Sequence, residues 1–121
     1  MKKEADLNAA QFLPLPQAMF HILVALADKD QHGYAIMQDV AARTSGKLRL
    51  SPGTLYGSIK KMLEDGMIQE IEARLGASID DERRRYYRLT KFGRQVAAAE
   101  AERLSAMLSH ARATGLVPKR T

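Results

Sequence analysis

Three observations in the amino-acid sequence point to one fold class. Residues 17–63 read as helix, helix, short extended segment and helix; residues 67–90 read as two strand patterns around a polar loop; residues 91–115 carry an alanine-rich, heptad-like stripe. A tri-helical core followed by a hairpin is the pattern of a winged helix-turn-helix. The chain is therefore expected to be mostly α with a small β-hairpin and a long C-terminal dimerisation helix. The expected divisions are a loose N-terminal arm over 1–13, the winged domain over 14–90, the dimerisation helix over 91–115 and a tail over 116–121.

Composition narrows the function classes. At 121 residues with 45% apolar content, the chain suits one small globular domain with a modest core. It has no cysteine, which excludes disulfides and thiolate metal sites and fits a reducing cytoplasm. No apolar run approaches the roughly 20 residues that span a bilayer, and Met1-Lys2-Lys3 leads into a polar stretch rather than a signal sequence. No membrane association is expected, and the expected location is cytoplasmic. A formal charge of +5 favours a polyanionic partner.

Taken in order, residues 1–13 mix charges without periodicity, and Leu13-Pro14-Leu15-Pro16 is extended because proline disfavours helix in the residue before it. From Gln17 to Asp28 the chain is apolar almost all round, through Met19, Phe20, Ile22, Leu23, Val24 and Leu26. Such a helix needs burial on more than one side, so part of it, Phe20 included, is expected to face a second subunit. Asp28 to Gly33 is a polar connection. Tyr34, Met37, Val40 and Ala41 space out a second helix ending near Ser45-Gly46, and the alternating Lys47-Leu48-Arg49-Leu50 suggests a short strand.

The stretch Leu50–Ile68 organises the rest. Ser51 is a good N-cap, Pro52 suits the first helical position, and Gly66 supplies a stop, giving a helix over 52–65. Leu55, Ile59, Met62 and Leu63 form its apolar stripe, while Gly53, Thr54, Gly57, Lys60 and Lys61, flanked by Ser58, form a low-relief cationic face. That shape suits the DNA major groove, which is wide enough to admit a helix. Taken alone, the same pattern also suits an ordinary amphipathic surface helix.

Met67 to Arg74 and Arg83 to Thr90 read as strands joined by a loop, with the wing over 74–85. Strand alternation turns Tyr87 and Leu89 inward and Arg84, Tyr86 and Arg88 outward. Thr90 then caps a helix running to about Thr114, closed by Gly115, in which Ala97, Ala101, Leu104, Leu108 and Ala111 step at coiled-coil spacing.

Charge placement supports the groove reading. From Val40 to Leu63 there are five basic residues and no acid; from Arg83 to Ala99 there are six and no acid. In a winged helix these windows are the recognition helix and the wing, on one face. Ser51, Thr54, Tyr56, Gly57, Ser58, Lys60 and Lys61, with Arg83, Arg84, Arg85 and Tyr86, are the candidate contacts to double-stranded DNA. Cations there would neutralise phosphates, and Thr54, Ser58, Lys60 and Lys61 would reach base edges. Tyr56 is either a phosphate donor or a residue of the core boundary.

Catalysis finds no support. His21, His32 and His110 are scattered, and neither a phosphate-cradling glycine loop nor a cysteine nucleophile is present. Asp80-Asp81-Glu82 lacks metal-ligand spacing, and Asp28, Asp30 and His32 make at most a weak set. No cofactor and no metal is expected.

The assembled motifs resemble the PadR family of bacterial transcriptional regulators. The matching pieces are Phe20-His21-Ile22-Leu23, His32-Gly33-Tyr34-Ala35-Ile36, Ser51-Pro52-Gly53-Thr54-Leu55-Tyr56, Leu63-Glu64-Asp65-Gly66-Met67-Ile68, and Arg84-Arg85-Tyr86-Tyr87-Arg88-Leu89-Thr90 with Gly93, in the family's order over about 15–110. The resemblance implies a winged-helix homodimer on a palindromic operator, usually a repressor, dimerised through the terminal helix. The single terminal helix is similar to that of short-tailed members. Some relatives bind a small aromatic effector between subunits, a partner the resemblance raises without assigning residues to it. A protein-interaction module built on the same scaffold, without DNA binding, is the alternative.

Overall fold

The computed structural model of the protein describes residues 8–72 and 85–118. A 3-10 turn at Ala9–Phe12 precedes α1 (Gln17–Asp28), β1 (Gln31–His32), α2 (Gly33–Arg43), α3 (Pro52–Glu64), β2 (Ile68–Ile71), β3 (Tyr86–Leu89) and α4 (Lys91–Ala113). The strands form one antiparallel sheet in the order β1-β3-β2.

Side-chain caps start three of the helices. His32 Nδ1 accepts from Ala35 N–H at 3.1 Å, Ser51 Oγ from Thr54 N–H at 3.1 Å, and Thr90 Oγ1 from Gly93 N–H at 2.9 Å. Each satisfies one of the amides that a helix start leaves unpaired. Gly66 closes α3 at φ 77°, with Met67 N–H donating to the Met62 carbonyl at 2.9 Å. Gly115 closes α4 at φ 83°. Both are left-handed positions that a side chain would strain.

The core is where the three inner helices meet the sheet and the start of α4. Ile22 and Leu23 of α1, Ile36 and Val40 of α2, Leu55 and Met62 of α3, Met67 and Val96 are fully buried. Helix α4 approaches the chain entering β2 so closely that a Cβ on Gly93 would collide with the Met67 carbonyl. Thr90 ties the same junction, its hydroxyl donating to the Gly66 carbonyl at 2.6 Å and its amide to that of Met67 at 3.0 Å.

Four expectations are corrected here. The arm is not loose throughout: residues 9–12 form the 3-10 turn, capped by Asn8, and Phe12 meets Phe92 of α4 edge-on at 5.7 Å. Lys47–Leu50 forms no strand; Thr44 gathers it into a tight turn, its hydroxyl donating to the Val40 carbonyl and accepting from Leu48 N–H at 3.0 Å. The third strand comes instead from Gln31–His32, within the segment expected to be a polar connection. Finally, α2 buries Ile36 and Val40, whereas Tyr34 is 52% exposed and Met37 and Ala41 are half-buried. Of the four residues that spacing suggested only Val40 is buried, and Ile36, which was not among them, is buried with it.

Gln31 explains why the connection is structured. It is buried, and its carboxamide donates to the Ala25 carbonyl at 3.0 Å and to Asp39 Oδ2 at 2.9 Å. Burial works to raise the Asp39 pKa, but hydrogen bonds from Gln31 and Arg43 hold it below the ordinary carboxylate value.

Candidate nucleic-acid interface

Helix α3 divides cleanly. Leu55, Ile59 and Met62 are buried, while Gly53, Thr54, Tyr56, Gly57, Lys60 and Lys61 are exposed and Ser58 is half-buried. A Cβ on Gly53 or Gly57 would meet nothing within 4 Å, so the protein leaves this face open. Ser51 caps the helix and also donates to Thr54 Oγ1 at 3.1 Å, which ties both candidate hydroxyls to the helix start. Lys61 pairs with Asp65 at 3.4 Å, and Lys60 has no acidic partner among the described residues.

Tyr56 is only half a surface residue. The residue is 49% exposed, yet its hydroxyl end covers Gly33 so tightly that a Cβ there would collide with it. Glycine at the first position of α2 is what allows α3 to lean that close. The structure thus places Tyr56 at the core boundary, against the start of α2.

The wing arginines are placed less simply than alternation suggested. Arg83 and Arg84 lie outside the described residues. Arg85 is exposed, with Nη1 3.6 Å from Glu70 Oε1 across the sheet. Tyr86 does not point outward: it is 7% exposed, with its ring edge-on to His32 at 5.3 Å. The reason is the strand order. Tyr86 lies on the middle strand, opposite both His32 of β1 and Ile71 of β2, so the face expected to be open is covered. Its burial removes it from the direct contacts.

Several cations counted in the two basic windows are also matched. Arg88 grips Asp30 through Nε at 3.1 Å and Nη2 at 2.7 Å. Arg43 bonds Asp39 at 2.9 Å and Asp28 at 3.0 Å. Asp28 and Asp30, weighed with His32 as a weak metal set, are each turned to an arginine. Lys47, Arg49, Lys60, Lys91 and Arg94 have no ion-pair partner among the described residues.

The residues expected at a dimer contact divide along α4. Gly93, Val96 and Glu100 face the core and Ala97 is half-buried against it, as is Phe20 of α1. Beyond Glu100, Ala101 is exposed, Leu104 is 37% and Leu108 42% exposed, and Ala111 is half-buried. Sequence reasoning missed Glu100, which is 2% exposed and accepts from Arg103 and from Leu15 N–H. An acid followed three positions later by arginine was the only signal available.

A helix-turn-helix core, a three-stranded antiparallel sheet and a long terminal helix define a winged helix-turn-helix protein; residues 74–84 of the expected wing lie outside the described residues. Residues 22–99, well over half of the chain, match the Transcriptional regulator PadR-like family. The chain belongs to that family, which is one of transcriptional regulators rather than enzymes. It is 36% identical over 74 residues to Transcriptional regulator Rv3488 of Mycobacterium tuberculosis (strain ATCC 25618 / H37Rv), covering 61% of this chain and 63% of that protein. It is 33% identical over 73 residues to an uncharacterized protein of Lysinibacillus sphaericus, covering 60% and 64%. The match thus spans a little under two thirds of the curated relatives' length. Among solved structures, the fold is similar to a PadR family transcription regulator from hypervirulent Clostridium difficile R20291, with TM-score 0.69, 23% identity and coverage of 82% of this chain and 98% of that one. It is also similar to Bacillus subtilis PadR solved in complex with operator DNA, with TM-score 0.58, 22% identity and coverage of 71% and 47%. Among the described residues no helix is long and apolar enough to cross a membrane.

Proposed function

We propose that this chain is a sequence-specific, DNA-binding transcriptional regulator that works in the cytoplasm as a homodimer on a palindromic operator, and that it represses. Helix α3 enters the major groove and the 74–85 wing lies along the backbone. The observation that carries the reading is the open face of α3: Thr54, Gly57 and Lys60 stand opposite the buried Leu55–Ile59–Met62 stripe, with nothing over the two glycines. Hydroxyls, an amine and missing bulk let a helix approach base edges closely. Membership of a regulator family and the fold shared with an operator-bound PadR support it.

Dimerisation is supported by Leu104, Met107 and Leu108, large apolar side chains exposed together on the last turns of α4. One winged helix reads few base pairs, and a two-fold pair doubles the site with matching symmetry. Selection of bound duplexes from a random pool tests the reading. Recovery of a two-fold symmetric consensus supports it. No enrichment would hand the scaffold to the protein-interaction alternative.

A further inference from the structure

Among the described residues, Met107 is the exposed methionine. It is 54% exposed on the outer half of α4, whereas Met62 and Met67 are buried and Met19 and Met37 are half-buried. The chain has no cysteine, so a thioether is the only sulfur that it offers to an oxidant. We propose that Met107 is a redox-modification site, oxidised by a hydroperoxide to the sulfoxide, and that the change takes the homodimer apart and so releases DNA. The inference rests on the dimeric regulator reading and adds a means of regulation to it.

The reaction needs no third reactant. A lone pair on Met107 Sδ attacks the outer oxygen of the hydroperoxide, an S–O bond forms and the O–O bond breaks. The proton on that oxygen passes to the departing one. The sulfur is oxidised, and the hydroperoxide is reduced to an alcohol, or to water where it is hydrogen peroxide. A methionine sulfoxide can be reduced again, so the modification is reversible.

The surroundings of the sulfur are built rather than incidental. Arg103 Nη1 donates to Met107 Sδ at 3.1 Å, while Nε and Nη2 of the same guanidinium are held by Glu100 at 2.9 and 2.7 Å. Glu100 is buried and also accepts Leu15 N–H, which anchors the donor to the core. A thioether is a weak acceptor and a sulfoxide oxygen is a polar one, so a fixed donor beside the sulfur favours the oxidised form. Sulfur and guanidinium are already in hydrogen-bond contact, which leaves no room for an oxygen between them. The oxidised side chain must swing away from Arg103.

That movement falls on the apolar surface assigned to the dimer. Met107 stands one turn beyond Leu104 and beside Leu108, both exposed on the same helix. A sulfoxide oxygen there has one fixed donor for its lone pairs and is half-satisfied in an apolar contact. A buried polar group left unsatisfied costs on the order of tenfold in affinity, and a two-fold contact carries the change twice, roughly a hundredfold in all. The free chain exposes the sulfur and the dimer covers it, so oxidation is faster on dilution.

The test treats full-length wild type and Met107→Leu with hydrogen peroxide, dilute and at micromolar concentration. Peptide mass mapping follows the site of oxygen addition, sedimentation the assembly, and fluorescence anisotropy the duplex affinity. Wild type is expected to take up oxygen at Met107 ahead of Met19 and Met37, and to lose about a hundredfold in dimer affinity. Duplex affinity should fall alongside, and a methionine sulfoxide reductase should restore both. Met107→Leu, compared with its own untreated sample, should not respond. Uptake at Met19 or Met37 as fast as at Met107, a sulfoxide at Met107 that leaves the dimer in place, or a Met107→Leu that responds like wild type would overturn the proposal while the regulator reading stands. An untreated wild type that is monomeric or binds no duplex defeats both.

Discussion

Glu100 and Arg103 form a buried-to-surface ion pair at the point where α4 leaves the core. Arg103 donates to Glu100 Oε1 through Nε at 2.9 Å and to Oε2 through Nη2 at 2.7 Å. The carboxylate also accepts Leu15 N–H at 3.4 Å, so one side chain joins α4 to the segment entering α1. The Arg103 hydrogen bonds hold the Glu100 pKa below the ordinary carboxylate value, against burial, which would raise it. A hydrogen bond to a charged group contributes about 1.5–3 kcal/mol. We therefore expect Arg103→Ala, which strands the buried carboxylate, to cost about 2 kcal/mol in urea unfolding.

A pH dependence follows from the same group. Its folded pKa is depressed, so its contribution is fully present above the unfolded carboxyl value near 4.5 and is lost as pH falls through the folded value. Glu100→Gln should unfold with a shallower loss of stability below that pH than wild type. Identical urea midpoints for the two across the acid range would contradict this role.

The junction of α4 with β2 gives a sharper stability test. A methyl on Gly93 would have to displace the Met67 backbone, which is itself held by Thr90. Backbone is not a flexible neighbour, and overpacking typically costs about 1–3 kcal/mol. Gly93→Ala should lower the Tm by several degrees, measured by circular dichroism, whereas Gly53→Ala, in open space, should not lower it.

Dimerisation is tested on the exposed half of α4. Leu104 and Leu108 are already partly covered by their own helix, so docking a second copy adds about 1 kcal/mol for each. Each change counts twice in a two-fold contact. Leu104→Asp with Leu108→Asp should therefore sediment as a monomer at micromolar concentration while the winged domain stays folded. A double variant that remains dimeric would move the contact elsewhere.

The parts legible in the sequence are those decided by neighbours along the chain. Ser51, Thr90, Gly66 and Gly115 marked helix ends because caps and left-handed turns act within a few residues. The α3 stripe was legible for the same reason. Tyr86 was not: its burial depends on His32 pairing beside it from a segment far away in the chain, which no local alternation reveals. Arg88 read as part of a basic patch because Asp30, its partner, is equally distant. The α2 stripe was legible only in part: Val40 was placed in it, but Tyr34, Met37 and Ala41 keep helical spacing as well as Ile36 does, and only packing against α1 and α3 chooses between them.

Gly57 isolates the groove-facing surface from the fold. Its position is open, and replacing a mid-helix glycine removes a cost of about 1 kcal/mol relative to alanine. Gly57→Glu should keep or slightly raise the Tm while abolishing duplex binding through bulk and repulsion. A variant that unfolds instead would show the helix faces to be reversed.

The salt dependence of duplex affinity tests the central claim most directly, measured by fluorescence anisotropy on a selected duplex from about 50 to 200 mM salt. Wild type should lose affinity steeply. Lys60→Ala should flatten the slope by about 0.9 per subunit if its amine meets a phosphate, or keep the slope and relax sequence preference if it reads a base. Arg88→Ala, whose guanidinium is held by Asp30, should leave both unchanged. Binding by wild type that is indifferent to salt, or that survives Lys60→Ala with slope and preference intact, would contradict the assignment of α3 to the DNA groove.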